Sequence, residues 1–348
     1  MRVGQVRVLL AGLGVRGRYW ADVISRSPRS MIAAYADPNP AARERFNAQY
    51  GERPSFATPE EAIAAMPDLE ALVLANPPIG RESIIRACAE RRIPLLIEKP
   101  LALDMREAAR LVGIAEAAGV PLMVGLNFRY LAVTRALLEL LATGTVGTAA
   151  FARFTYERYR DGNRPDLNKY PLTMDQPMLW EQSIHHFDLL RYVYQTEPVT
   201  VQARTWNPAW SMYRSDANVS TLFTFVNGVH VNYQGTWQAN WAEPGFEWRT
   251  ECTGGIITQR HQFGDLYYAR HADKTLTPVG LPPHEMWVTE TIGLWEAFLA
   301  TLLDGATLQC SGRDHLTSLA MVAACALSSE RGETVHIREA LEAAQRDG

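Results

Sequence analysis

The chain has 348 residues, an apolar fraction of 47%, a charged fraction of 21% and a formal net charge of −4. These are the values of a globular protein of two domains; the negative balance supplies no basic field for nucleic acid, and no apolar run approaches the roughly 18 residues of a membrane span. Arg2 and Arg7 precede no separate apolar segment, and Cys88, Cys252, Cys310 and Cys325 are scattered without a CxxC, so the expectation is a cytoplasmic protein with no signal peptide and with reduced thiols.

Val6–Ala11 is a short apolar run that reads as a buried strand, and Gly12-Leu13-Gly14-Val15-Arg16-Gly17 follows at once. Residues 19–26 then read as a helix stopped before Pro28. Strand, glycine turn and helix is the context that a dinucleotide fingerprint requires. Gly12 permits the tight turn, Gly14 lets the backbone approach a pyrophosphate, and Gly17 lets helix and strand pack closely. The helix N-terminus presents N–H groups to the phosphates, and Val15 and Arg16 of the glycine turn count with its glycines as cofactor-binding residues. A second strand, residues 31–36, ends in Asp37, about 20 residues beyond the last glycine. A carboxylate there accepts from ribose hydroxyls and repels a 2′-phosphate. Pro38, not arginine, follows it, so the pattern predicts NAD rather than NADP. A glycine turn also has plain structural uses; the flanking strand and helix and Asp37 weigh for the nucleotide.

Strands and helices keep alternating to about residue 124. Residues 40–51 read as a helix stopped at Gly51, and Thr58-Pro59-Glu60-Glu61 as a cap opening a short helix to Ala65. Strands follow at 69–75, 94–97 and 120–124, with helices at 82–91 and, capped by Asp104, to Ala118. This alternation predicts a parallel sheet whose ligands bind at the carboxyl ends of its strands. Gly12, Asp37, Asn76 and Glu98-Lys99-Pro100 therefore share one edge. From residue 131 the pattern changes. A helix at 131–141 precedes strand-like segments at 149–159, 200–206, 219–225, 229–237, 247–253 and 255–262, with Asn227-Gly228 as a hairpin signal, and two helical runs at 286–303 and 314–328 close the chain. The fold class is an α/β Rossmann domain, residues 1–124, followed by an α+β domain, residues 125–348, with a large, mostly antiparallel open sheet. The final helices are free to pack back on the first domain.

Lys99 follows a buried strand and precedes Pro100, which restricts its backbone. A lysine in such a crevice polarises a substrate oxygen; the plainer reading is a solvated strand-end lysine. Residues 178–194 read as one helix, on which Glu181, His185, Asp188 and Tyr192 share a side at 3.6 residues per turn. A lone helical histidine is more often structural, but one turn from a glutamate it gains weight as an acid/base. His186 lies off that stripe and reads as packing or surface. No HExxH or third ligand accompanies Glu181 and His185, so no metal is expected, and no GxSxG elbow suggests a hydrolase. Trp180, Trp206, Trp210, Trp237, Trp241, Trp248, Trp287 and Trp295 all lie in the second region and read mostly as core or subunit interface.

Four stretches together resemble the Gfo/Idh/MocA family of nicotinamide-dependent sugar and cyclitol oxidoreductases: the glycine turn, Glu98-Lys99-Pro100-Leu101, Val124-Gly125-Leu126-Asn127-Phe128-Arg129-Tyr130, and Ile184-His185-His186-Phe187-Asp188-Leu189-Leu190-Arg191-Tyr192. The resemblance implies that Lys99 sits near the nicotinamide and the reacting oxygen, beside Glu98. It implies that His185 contacts substrate, often as the acid/base, and that Glu181 stands where the family most often has aspartate. Asn76 and Pro77 match the turn that packs near the adenosine and nicotinamide ribose. Arg129, in the third stretch, joins Lys99, Glu181 and His185 as a substrate-binding residue. The sequence departs from the family pattern at Glu181, at Ser183 where glycine is usual, and at Arg81 where histidine is frequent.

The resulting expectation is an NAD-dependent dehydrogenase or reductase acting on a CH–OH group of a sugar, cyclitol or related polyhydroxylated molecule. His185 takes the hydroxyl proton, histidine's ordinary pKa lying close to neutral, Lys99 stabilises the alkoxide, and Glu181 orients His185 or a neighbouring hydroxyl. The alternatives are a redox-neutral enzyme that uses NAD to process a glycoside, and a non-catalytic NAD-binding regulator. An open sheet rich in aromatics also predicts a homodimer or homotetramer formed through the second domain's sheet.

Overall fold

The computed structural model describes residues 4–343 except Asp166; Arg2 and the outer domain limits at residues 1 and 348 lie outside the described residues. The chain forms two compact units, one of residues 4–127 with Trp287–Leu316, the other of Phe128–Met286 with residues 317–343.

The first unit opens with β1 (Val6–Ala11), α1 (Val15–Arg26), β2 (Ser30–Ala36), α2 (Pro40–Tyr50), β3 (Ser55–Phe56) and α3 (Pro59–Ala65). It continues with β4 (Ala71–Leu74), α4 (Glu82–Arg91), β5 (Leu95–Ile97), α5 (Met105–Ala117) and β6 (Leu122–Val124). Among the described residues these strands form a six-stranded sheet in the order β3-β2-β1-β4-β5-β6, with every pairing parallel. Strands β4, β5 and β6 are buried along their whole length, as near-continuous apolar runs in a parallel sheet must be. The helix starts are set locally. Thr58 Oγ1 accepts from Glu61 N at 3.2 Å, Asp104 Oδ1 accepts from Arg106 N and Glu107 N, and Gly51 ends α2 at φ +96°.

Helix α1 begins at Val15, directly out of the glycine turn, rather than at Tyr19. Gly17 therefore lies inside the helix, where its missing side chain is required. Strand β3 carries no sequence signal because it is two residues long and pairs only with the end of β2.

The second unit contains α6 (Ala132–Ala142), β7 (Ala149–Glu157), α7 (Ile184–Tyr194), β8 (Pro198–Trp206), β9 (Asn218–Phe225) and β10 (His230–Thr236). Then come β11 (Gly245–Cys252), β12 (Gly255–Gln259), β13 (Tyr267–Arg270) and β14 (Thr277–Pro278). Helix α8 (Thr289–Asp304) belongs to the first unit, α9 (Gly312–Arg331) spans the division, and β15 (Val335–His336) and α10 (Ile337–Ala343) close the described chain. Among the described residues nine strands form one sheet, in the order β14-β13-β12-β11-β7-β10-β9-β8-β15. It is antiparallel except where β7 and β10 run side by side. Its inner face carries Phe154, Tyr233, Trp248 and Phe223, with Phe187 of α7 edge-on to Phe223 at 4.8 Å. The short strands β13, β14 and β15 lack an alternating pattern long enough to read from sequence.

Trp295, grouped with the second region in the sequence, is buried in the first unit instead. Its ring lies 6.3 Å from Trp20 and its Nε1 donates to Ser30 Oγ at 3.1 Å. Trp237 and Trp248 are core, whereas Trp206, Trp210 and Trp241 are exposed. Among the described residues no helix is long and apolar enough to cross a membrane.

The single helix expected over residues 178–194 is two pieces. A π-helical segment, Met178–Ser183, runs into α7. Counting at 3.6 residues per turn assumes uniform i→i+4 bonding, and the i→i+5 pattern breaks that count between Glu181 and His185. Ser183, at the junction, is fully buried with its Oγ 2.9 Å from the Tyr233 hydroxyl.

Candidate active site

The glycine turn shows why each glycine stands where it does. Gly12 has φ +87°, and a Cβ there would lie 2.7 Å from backbone atoms of Ala75 and Asn76. A Cβ on Gly17 would lie 2.1 Å from the Gly12 carbonyl oxygen. Gly14 differs: it is exposed, and a Cβ there meets nothing within 4 Å. It is the N-cap of α1, which no side chain caps, so the first-turn N–H groups of Val15 and Arg16 border an opening that any side chain at 14 would fill. That is the cradle a pyrophosphate needs.

Asp37, directly after β2, accepts from Leu13 N through Oδ2 at 2.7 Å and from Asn39 N through Oδ1 at 2.8 Å. Each carboxylate oxygen has two acceptor sites, so the same group that shapes the glycine turn keeps capacity for ribose hydroxyls. The residues of this edge fit a dinucleotide.

Glu98, Lys99 and Pro100 leave the end of β5. Glu98 is buried, and its Oε1 accepts from Arg16 Nε and Trp20 Nε1, each at 2.8 Å, with Arg16 Nη2 at 2.7 Å. Its carboxylate therefore ties the strand exit to α1. Lys99 is half-buried, and Asn76 Oδ1 accepts from Arg81 Nε at 3.3 Å, with Pro77 exposed beside it. The structure thus brings Gly12, Gly14, Val15, Arg16, Gly17, Asp37, Asn76, Pro77, Glu98 and Lys99 to the carboxyl ends of β1, β2, β4 and β5.

In the second unit, His185 lies in the first turn of α7, is buried, and stacks on Phe128 with ring centroids 4.1 Å apart at 19°. Phe128 meets Phe263 edge-on at 6.0 Å. One turn along α7, Asp188 receives both Arg129 Nε at 2.7 Å and Nη2 at 2.6 Å, a forked pair, while Ser318 Oγ donates to its Oδ1 at 2.9 Å. The Arg129 guanidinium also lies 5.2 Å from the Tyr192 ring centre. Glu181, on the π segment, accepts from the Tyr170 hydroxyl at 2.6 Å. Ser318 and Tyr170 were not named from sequence, and Asp188 and Phe128 were named there without a partner or a role. Only Asp188 carried a signal, as a carboxylate inside the apolar run of α7, where burial demands a cation. Among the described residues no group of three or more His, Cys, Asp and Glu comes together as a metal site would require.

His186 is packing, not surface. It is buried, its Nδ1 is 2.9 Å from the Tyr233 hydroxyl, its Nε2 is 3.0 Å from Gln182 Nε2, and burial depresses its pKa from 6.5 to about 3. The unfolded chain therefore binds a proton below pH 6.5 that the folded chain refuses until about pH 3. Stability is complete above pH 6.5 and falls by up to about 1.4 kcal/mol per pH unit as pH drops through that window. Urea titrations of the native chain and of His186→Gln between pH 7.5 and 4.5 check this; the variant should lose that component of the slope.

Residues 6–126 match the model of an oxidoreductase family with an NAD-binding Rossmann fold, and residues 134–258 match the Gfo/Idh/MocA C-terminal domain. The inositol 2-dehydrogenase of Rhizobium meliloti strain 1021 is 26% identical over 333 residues, spanning 93% of this chain and 96% of its own. The D-apiose dehydrogenase of Paraburkholderia graminis is 26% identical over 330 residues, spanning 92% and 85%. An oxidoreductase from Agrobacterium radiobacter, crystallised with NAD+, L-tartaric acid and magnesium, superposes with a TM-score of 0.88 at 19% identity, covering 97% of this chain and 99% of that one. The two matched models cover the parallel glycine-turn sheet and strands β7 to β11 of the large open sheet that follows it, and the chain belongs to the Gfo/Idh/MocA family of NAD-binding oxidoreductases.

Proposed function

We propose that this protein is an NAD-dependent dehydrogenase or reductase acting on a CH–OH carbon of a sugar, cyclitol or related polyhydroxylated molecule. The observation that carries the reading is the gathering of the Gly14 opening, the Asp37 carboxylate and Lys99 at one edge of the first unit's sheet. The inositol and D-apiose relatives support the substrate class. The nicotinamide, when bound, supplies a two-electron acceptor for the carbinol hydride. His185 takes the hydroxyl proton as general base, and the Lys99 ammonium stabilises the negative charge that grows on the oxygen. Glu181, held by the Tyr170 hydroxyl, receives a neighbouring substrate hydroxyl. Arg129 serves substrate binding through its forked hold on Asp188, which fixes the helix that carries His185. Asp37 favours NAD over NADP by repelling a 2′-phosphate.

The test is an absorbance scan at 340 nm with NAD and with NADP against polyols, aldoses, sugar acids and glycosides. Growth of NADH with one substrate class is the expected result. Glycoside cleavage without net NADH, or NAD binding with no product at all, overturns it.

The reading includes a cytoplasmic location, in keeping with the free thiols of Cys88, Cys252, Cys310 and Cys325, and no nucleic-acid partner, in keeping with the net charge of −4. It also includes a homodimer or homotetramer formed through the outer face of the second unit's sheet, where Phe151 is 55% and Leu222 40% exposed. Light scattering should give two or four subunits, and Phe151→Glu with Leu222→Glu should give a monomer. A native monomer at micromolar concentration overturns the assembly.

A further inference from the structure

We propose that Arg81 is a positioning residue that sets the direction of the Lys99 side chain by clasping the backbone on both sides of it. Arg81 is 1% exposed, at the N-terminus of α4. Its Nη1 donates to the carbonyl oxygens of Glu98 at 2.8 Å, Pro100 at 2.7 Å and Leu101 at 3.0 Å. Its Nη2 donates to the Asn76 carbonyl at 2.7 Å and its Nε to the Asn76 side-chain oxygen at 3.3 Å. One planar fork therefore holds two strand exits together, the one after β4 that carries Asn76 and the one after β5 that carries Lys99.

The geometry makes this more than a buried cation satisfying its donors. Arg81 holds the peptide plane before Lys99 directly, through the Glu98 carbonyl. On the other side it holds the Pro100–Leu101 plane, from which the ring-fixed φ of Pro100 carries the restraint back toward Lys99, so the backbone that sets the Lys99 Cα–Cβ direction is held on both sides. On the opposite side, the Glu98 carboxylate is held by Arg16 and Trp20. The exit is thus pinned by its backbone to Arg81 and by the Glu98 side chain to α1, and Lys99 lies in the segment held at those two points. Lysine cannot replace the arginine, because an ammonium is a point with three donors and cannot serve two separated turns in one plane.

The inference rests on the catalytic role given to Lys99 above, so its test reads Lys99 itself as well as turnover. Native protein, Arg81→Lys and Arg81→Gln are reacted with trinitrobenzenesulfonate across pH 7 to 10, and labelling at Lys99 is compared with labelling at the exposed Lys274 by peptide mass mapping. In both variants the Lys99 to Lys274 rate ratio should rise and its pH profile should move, because the freed exit samples more directions. With a substrate from the scan, kcat should fall by about 100-fold, the cost of misplacing a catalytic group by an ångström, with a much smaller change in the KM for NAD. A lower Tm with an unchanged Lys99 profile overturns the proposal and leaves Arg81 a buried structural cation. Should Arg81→Gln not fold, Arg81→Lys, which keeps the buried charge, decides alone. A native protein that turns over nothing overturns the dehydrogenase reading while the labelling comparison still stands.

Discussion

His185→Ala is expected to lower kcat by about 10²–10⁴-fold, the usual contribution of a positioned general base, while the Kd for NAD stays within a factor of two or so. The His185 imidazole is buried in the first turn of α7 and lies flat on Phe128 at 4.1 Å, so its plane is set by an aromatic neighbour that carries no charge. Lys99→Met is expected to cost about 10²–10³-fold in kcat, as removal of one donor to a developing oxyanion does. Nucleotide binding should survive both changes, because the turn at Gly12, Gly14 and Gly17 and the Asp37 carboxylate are held by backbone contacts that neither side chain makes. Stopped-flow turnover with the substrate found in the scan, beside NADH binding by fluorescence, checks the pair. Unchanged kcat in both variants removes the role assignment.

Arg129→Met is expected to destabilise the second unit by about 3–5 kcal/mol, because it leaves a buried carboxylate without its cation. Asp188 is 2% exposed in its side chain and Arg129 11%, so water cannot replace the lost partner. Ser318 Oγ, itself receiving Arg191 Nη1 at 2.8 Å, supplies one neutral donor to Asp188 and cannot balance the charge. The double change Arg129→Met with Asp188→Leu should recover much of the loss, since a well-packed apolar pair often matches a buried ion pair. Urea midpoints for the native chain, both single variants and the double variant give the coupling directly. A coupling near zero means that Arg129 acts through something other than Asp188. A loss of activity larger than the loss of folded fraction points to a direct substrate contact by Arg129.

The helix stripe shows where sequence reasoning stopped. Glu181, His185, Asp188 and Tyr192 share one side only if the turn is uniform, and the π segment at Met178–Ser183 removes that condition for Glu181. Within α7 the count holds, and the Arg129 guanidinium reaches both Asp188 and the Tyr192 ring one turn apart. Arg81 stood out in the sequence only as a departure from the histidine frequent in the family. Its four carbonyl partners at Asn76, Glu98, Pro100 and Leu101 give that departure a physical content that no motif carries.

Taken by itself, the sequence determined the glycine turn and the acidic end of the next strand at the nucleotide edge, because each is a local pattern. A buried strand leaves through a turn that glycines at 12, 14 and 17 permit, a helix follows at once, and Asp37 ends the next strand; the structure adds the bond from Leu13 N to Asp37 Oδ2. The order of elements likewise determined the change from a parallel to a mostly antiparallel sheet: strands alternate with helices to about residue 124 and then follow one another, with Asn227-Gly228 as a hairpin turn. The tertiary structure alone decided which distant groups meet: Arg129 with Asp188, Ser318 with Asp188, Trp295 with Trp20, Arg81 with the strand exits. A charge inside an apolar run announces that a partner exists, since burying it alone costs too much. Which residue answers depends on how the elements pack, and no period along the chain encodes a contact between residues so far apart.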